Sequence, residues 1–171
     1  GTKIEINKRD TTSVYAHPSI TPSGDYIYFV SDMPGSYGGK DIWRASMVGD
    51  LVEFVENLGP DINTAGDEMF PYMRNDSTLY FSSDGHVGMG GLDIYKAEYD
   101  KKSKGWKVEN MKFPINSQAD DFGITFEGNK ESGFFSSNRG DGKGFDHIYS
   151  FAYPVITTVA EGYIVDTDDE F

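Results

Sequence analysis

The side chains able to do chemistry are few, and their spacing decides which chemistry is open to them. His17, His86 and His147 are the only imidazoles. No pair of them has metal-ligand spacing on one strand or helix, and the chain carries neither a Gly-x-Ser-x-Gly elbow nor a phosphate-cradling Walker loop. His17 falls where a later, similar segment has Phe70, which favours a structural place over a catalytic base. His147 precedes Ile148 in an expected strand and reads as a solvated or packing residue, with no positioned partner for proton transfer. The absence of Cys excludes a disulfide framework, thiolate zinc sites and cysteine nucleophiles. No catalytic triad, cofactor site or metal site is expected.

The carboxylates Asp41, Asp93 and Asp146 offer more, because each follows a Gly-rich loop and opens an expected strand. Pointing into a central channel, they would hold a cation or a ligand amine, since hard cations take oxygen ligands. Pointing into their own loops, they would accept backbone N–H bonds and pin the chain, as Asx side chains do. Occurrence in every unit is what an architectural role demands, so the second reading is preferred; Asp32, Asp84 and Asn138 mark the repeat in the same way. The Gly-rich loops, Gly35-Ser36-Tyr37-Gly38-Gly39, Gly88-Met89-Gly90-Gly91 and Gly140-Asp141-Gly142-Lys143-Gly144, precede strands and lack the Lys-Ser/Thr of a phosphate loop. They read as tight turns rather than anion nests. The tail Asp166-Thr167-Asp168-Asp169-Glu170 is similar to the first half of a calcium loop, but Phe171 stands where the EF-hand turn needs Gly, so it reads as an acidic end.

The elements that must position these residues form a repeat. His17-Pro18 through Tyr28-Phe29-Val30-Ser31-Asp32 to Asp41-Ile42-Trp43 aligns with Phe70-Pro71 through Tyr80-Phe81-Ser82-Ser83-Asp84 to Asp93-Ile94-Tyr95. A third segment runs from Phe122-Gly123 through Phe134-Phe135-Ser136-Ser137-Asn138 to Asp146-His147-Ile148-Tyr149. The aspartates lie 93 − 41 = 52 and 146 − 93 = 53 residues apart, and Ile62-Asn63 and Ile115-Asn116 hold the same 53, with Ile6-Asn7 a weaker third copy. Within a unit, short aromatic and β-branched runs such as Tyr26–Val30, Leu79–Phe81 and Phe134-Phe135 alternate with clusters of Gly, Asp, Asn and Ser, the pattern of strands and tight turns. A further strand is expected at Leu51–Val55 and at Trp106–Asn110, and no window shows helical periodicity. Four short antiparallel strands recurring at this period make an all-β propeller blade, apolar on both faces and stable only when stacked. Residues 1–153 are therefore assigned to three blades.

Composition narrows the function. The chain of 171 residues has 15 Lys+Arg against 28 Asp+Glu, a formal charge of −13. That balance opposes a nucleic-acid backbone, and the one basic cluster, Lys101–Lys107, reads as a solvated hairpin tip. No stretch approaches the roughly 18 apolar residues of a membrane span, so no direct membrane insertion is expected. Gly1-Thr2-Lys3 shows neither an initiator Met nor a signal-peptide core, which reads as a processed or excised segment. Aromatic residues make up 15% of the chain and mostly fall within expected strands. The loop residues Met33, Tyr37, Met89 and Phe145 are the candidates for partner contact, because loops on a rigid scaffold carry recognition.

The motifs Tyr80-Phe81-Ser82-Ser83-Asp84-Gly85, Gly90-Gly91-Leu92-Asp93-Ile94-Tyr95, Leu58-Gly59-Pro60-Asp61-Ile62-Asn63-Thr64 and Asp67-Glu68-Met69-Phe70-Pro71 resemble the TolB-type β-propeller repeat. More narrowly, they resemble the version found in OmpA-family, outer-membrane-associated proteins of Bacteroidetes-like bacteria, some of them parts of the type IX secretion apparatus. The resemblance covers about residues 6 to 166, with Gly162-Tyr163-Ile164-Val165-Asp166 resembling the first strand of a carboxypeptidase-regulatory-like domain after a linker, together 154–171. It implies a periplasmic, outer-membrane-associated, non-catalytic scaffold that binds protein partners. Peptidoglycan contact would come only through neighbouring domains not present here. A glycan- or peptidoglycan-fragment-binding module and a propeller associated with a hydrolase remain as alternatives. Three blades do not close a ring, since propellers typically have four to eight. Either further blades belong to the arrangement, or two chains combine three and three.

Overall fold

The computed structural model describes residues 1, 3–6, 10, 12–49, 51–140, 142 and 144–154. The described residues are all-β. Three antiparallel sheets follow one another along the chain. The first contains β1 (Ala16–Ile20), β2 (Tyr26–Ser31), β3 (Asp41–Val48) and β4 (Leu51–Asn57). The second contains β5 (Glu68–Asn75), β6 (Thr78–Ser83), β7 (Asp93–Asp100) and β8 (Gly105–Asn110). The third contains β9 (Asp121–Phe126), β10 (Ser132–Ser137) and β11 (His147–Ala152). In each sheet neighbours in sequence are neighbours in space, the meander expected of a blade.

The third blade departs from the expected four strands: among the described residues β11 has no outer partner where β3 has β4 and β7 has β8. The expected linker and following strand fall on 155–171, outside the described residues apart from Pro154, which lies in no strand. The weaker copy of the Ile-Asn mark is also only partly described, through Ile6.

Because side chains alternate across a strand, each blade presents two faces, and the core lies where the faces of neighbouring blades meet. Tyr28, Val30 and Ile42 of the first blade meet Met73, Leu79 and Phe81 of the second. Tyr80 and Ile94 of the second meet Ile124, Phe126 and Phe135 of the third. Each such side chain taken from water contributes roughly 1.5–3 kcal/mol, which isolated blades would forfeit. Phe29, Trp43 and Ala45 on the free side of the first blade are closed over by Tyr15, Ile27, Val52, Val55 and Ile6.

Strand register corrects one assignment. Ser31 pairs with Asp41 and Ser83 with Asp93, but Ser137 pairs with His147. Asp146 is thus not the third copy of Asp41 and Asp93; it lies one residue ahead of β11, and His147-Ile148-Tyr149 takes the place of Asp-Ile-Trp and Asp-Ile-Tyr. The separations 41 − 31, 93 − 83 and 147 − 137 are all 10, so the third Gly-rich loop matches the other two in length and Asp146 falls one residue short of the register.

The inner strands β1, β5 and β9 lie side by side and share a local distortion. His17 and Phe70 adopt left-handed φ angles of 48° and 54°, and Gly123 takes the equivalent place at 66°. Bulges interrupt the β1–β2 and β5–β6 ladders across these residues. Bulky residues rarely accept such angles. Here their rings are repaid by stacking, His17 on Phe70 at 4.2 Å and Phe70 on Phe122 at 5.0 Å between centroids.

Candidate interaction site

The repeated carboxylates act on the backbone. Asp41 accepts hydrogen bonds from the N–H of Tyr37 (2.7 Å) and Gly38 (3.4 Å), and from Asn57 Nδ2 at 2.6 Å. Asp93 accepts from the N–H of Met89 at 2.6 Å and Gly90 at 3.0 Å. Both carboxylates are fully buried at the foot of their loops. Asp146, by contrast, is exposed. Asp32, Asp84 and Asn138 each hold the entry to the first strand of their own blade, accepting from the N–H of Val14 (2.8 Å), Asp67 (2.7 Å) and Asp120 (2.9 Å).

Other residues, not read in the sequence as anchors, tie one blade to the next. Asn63 Oδ1 accepts from Ile42 N–H at 2.8 Å while its Nδ2 donates to Ile42 C=O at 2.9 Å. Asn116 treats Ile94 in the same way, at 2.8 and 2.8 Å. Asp67 accepts from Lys40 N–H and Nζ, and Asp120 from Leu92 N–H. The Ile-Asn pairs were visible as register marks, but only the packing of two blades shows that they clamp a backbone. Buried Glu68 accepts from Thr64 and Ser83, and buried Asp121 from Ser117 and Arg139. Arg139 also donates to the carbonyls of Pro114 and Ile115 and lies over the rings of Phe135 and Tyr149. In the second blade His86 reaches the matching carbonyl of Ile62 at 2.8 Å. Arg139 has no copy in the other units, so the repeat gave no signal for it.

These anchors decide which loop side chains face outward. Tyr37 and Met89 carry the N–H groups held by Asp41 and Asp93, and their side chains are exposed, as is Phe145. Met33 must be withdrawn from the contact candidates. It is 5% exposed, packed with Phe29 and Trp43, because its loop folds back over the first blade. Between the loops of the second and third blades lies an open cleft of about 520 Å³ lined by Met89, Phe113, Gln118, Asn138, Arg139 and Gly140 among others. It brings Met89 and Asn138 together, while Tyr37 and Phe145 lie apart from it. Phe113, strongly exposed beside this cleft, carried no repeat signal.

A smaller hollow of about 230 Å³ runs along the inner strands past His17, Phe70, Tyr72 and Ile124. Partial burial there, and then the positive charge of Lys40, hold the His17 imidazole below its ordinary range. His17 Nδ1 accepts from Phe70 N–H at 3.4 Å. At the edge of the same blade boundary, partial burial pushes the Asp67 carboxyl up, but the Lys40 bonds outweigh it and leave the group below the usual carboxylate value. Among the described residues no group of three or more His, Asp or Glu is arranged to hold a metal ion.

No protein-family model and no curated protein matches the chain. Solved structures do. TolB from Acinetobacter baumannii aligns with a TM-score of 0.52 at 15% identity, over 78% of this chain and 29% of that one. Prolyl oligopeptidase B from Galerina marginata aligns with a TM-score of 0.56 at 15% identity, over 85% of this chain and 19% of its own. A puromycin-hydrolyzing peptidase of Mycobacterium tuberculosis gives 0.55 at 15% identity, over 81% of this chain and 20% of that one. The chain spans less than a third of each of these proteins. At such identities the likeness is one of fold alone, that of a β-propeller.

Proposed function

We propose that the chain is a non-catalytic protein-interaction scaffold, belonging to a periplasmic, outer-membrane-associated protein of the OmpA family. The observation that carries this reading is the coupling of buried carboxylates to exposed apolar loop residues. Asp41 and Asp93 fix the backbone at Tyr37 and Met89, so these side chains are presented to solvent from rigid supports. Holding an apolar side chain in place before contact lowers the ordering cost of binding, which is how an interface anchor gains affinity. Location and family rest on the sequence resemblance described above.

The test passes an envelope extract of the source organism over the immobilised chain. A protein retained by the wild type and lost with the Tyr37→Ala, Met89→Ala double variant is expected; equal retention overturns the reading. Titration with soluble cell-wall fragments separates the glycan-binding alternative, which requires a saturable signal. A second reading, a propeller accompanying a hydrolase, draws on the likeness of fold to the two peptidases. It requires an α/β-hydrolase domain with a nucleophile elbow in the same parent protein.

A further inference from the structure

The two blade boundaries follow one plan, yet the side chains around the cleft at the second boundary differ in kind from their matches at the first. Tyr37 and Met89 correspond, since each carries the N–H held by the buried aspartate of its blade. Counted from the clamping asparagines, Phe113 and Gln118 stand where the first boundary has Pro60 and Ala65. Leu92 precedes Asp93 as Lys40 precedes Asp41, and Asn138 receives the N–H of Asp120 as Asp84 receives that of Asp67. These replacements change the charge balance. At the first boundary Lys40 Nζ meets Asp67 Oδ2 at 2.9 Å. Among the described residues no cation reaches Asp120, whose Oδ2 accepts from the Asn138 amide at 2.8 Å. The one cation in the lining, Arg139, is taken up by Asp121 and by the carbonyls of Pro114 and Ile115. The cleft of about 520 Å³ therefore combines an apolar wall, Met89 and Phe113 at 46% and 75% exposed, with a half-buried carboxylate that lacks a counter-ion beside Ala119 and Asn138.

We propose that this cleft takes an extended segment of a partner protein, with one bulky apolar side chain seated between Met89 and Phe113 and a neighbouring Lys or Arg paired with Asp120. The inference rests on the scaffold reading above and names the chemistry of its partner. The partner's cation would supply at Asp120 what Lys40 supplies at Asp67. The volume lies within the roughly 300–1,000 Å³ of sites that enclose a small ligand, and the thioether of Met89 adapts to the shape of an apolar guest. Gln118, exposed at the same cleft, offers a donor and an acceptor to an extended backbone. Charge selects among occupants. The chain carries −13, and Asp141 and Lys143 of the adjoining loop contribute one charge of each sign. Such a field draws in a basic segment and opposes an acidic one, and a second copy of this chain would bring the same negative charge.

Panning a displayed library of random linear peptides on the immobilised chain tests this. Enriched sequences are expected to carry a bulky apolar residue within a few positions of Lys or Arg. A synthetic copy of one is expected to bind Phe113→Ala about tenfold more weakly, as a truncated anchor does. Leu92→Lys, which rebuilds the Lys40–Asp67 pair at this boundary, is expected to weaken binding about threefold and to flatten its salt dependence. Both variants should keep the circular dichroism of the wild type, because Phe113 is exposed and a lysine already fills the place of Leu92 at the first boundary. No enrichment, enrichment of acidic sequences, or an affinity that either substitution leaves unmoved overturns the proposal. Saturable binding of soluble cell-wall fragments, or a doubled mass in sedimentation, that is lost with Phe113→Ala gives the cleft to a glycan or to a second copy and overturns it as well. The scaffold reading fails separately. An envelope protein retained through Tyr37 and Met89 while no peptide is enriched leaves that reading standing and removes the cleft; enriched peptides with no envelope protein retained do the reverse.

Discussion

The second and third blades share a strand plan, yet the second is enclosed and the third is not. Ile94 is buried and its backbone is clamped on both sides by Asn116, while Ile148, in the same register, is exposed. Asp93 is buried and gathers two loop N–H groups, while the third blade puts His147 at that register and leaves Asp146 outside. The difference teaches that for Ile94 and Ile148, alike in type and register, burial is set by what lies against the blade, whereas at Asp93 and His147 the residue itself differs.

The widest test of this contrast compares Ile94→Ala with Ile148→Ala by urea unfolding of dilute protein. The first should cost roughly 2–5 kcal/mol as a core truncation. The second should stay within about 0.5 kcal/mol, as exposed changes do. Equal losses would break the comparison. Next, Asp93→Ala should cost about 2–3 kcal/mol by leaving the N–H groups of Met89 and Gly90 without their acceptor. Asp146→Ala should change the unfolding midpoint little, and a matching loss there would restore Asp146 to the repeat.

A smaller effect separates two glycines. Gly90 has an ordinary φ, but a Cβ there would collide with the carbonyl of Ala119 in the next blade; Gly144, its counterpart, has open space and a φ of 72°. Gly90→Ala should therefore cost about 1–3 kcal/mol through overpacking. Gly144→Ala should cost about 1 kcal/mol, from the left-handed backbone alone. Thermal melts resolve this, since 1 kcal/mol shifts the midpoint of a chain this size by about 2–4 °C.

The smallest effect is acid sensitivity at the boundary of the first and second blades. His17 has a folded pKa below its unfolded value of 6.5, so the unfolded chain takes up the proton first. Its contribution is whole above pH 6.5 and is lost as the pH falls through the folded value. Asp67, likewise lowered, keeps its contribution above 3.8 and loses it in stronger acid. His17→Phe, which copies Phe70, should flatten the dependence of the urea midpoint on pH between 7 and 5. An unchanged slope would remove His17 as its source.

The fold was legible because strand-forming runs, turn clusters and a steady period all pointed to one unit, and each is a local property. The loop anchors were partly legible: Asp41 and Asp93 stood out by repetition. Asp146 misled because an Asp one position out of register cannot be told from a true copy until the strands pair. Met33 misled because a hydrophobic residue after an Asp in a loop reads the same whether the loop stands out or folds back. Arg139 and Phe113 carried no repeat signal, since each occurs in one unit only.

The sequence by itself determined the strands, the 52–53-residue repeat and the aspartates that hold the first two loops. Those follow from backbone preference and alternation, which act within a few residues. Only the tertiary structure decided which asparagines clamp a neighbour, which loop hydrophobes reach solvent, and that blade faces of matching composition are closed in the second blade and open in the third. The reason is that burial belongs to a pair of surfaces, and no residue encodes alone what will lie against it.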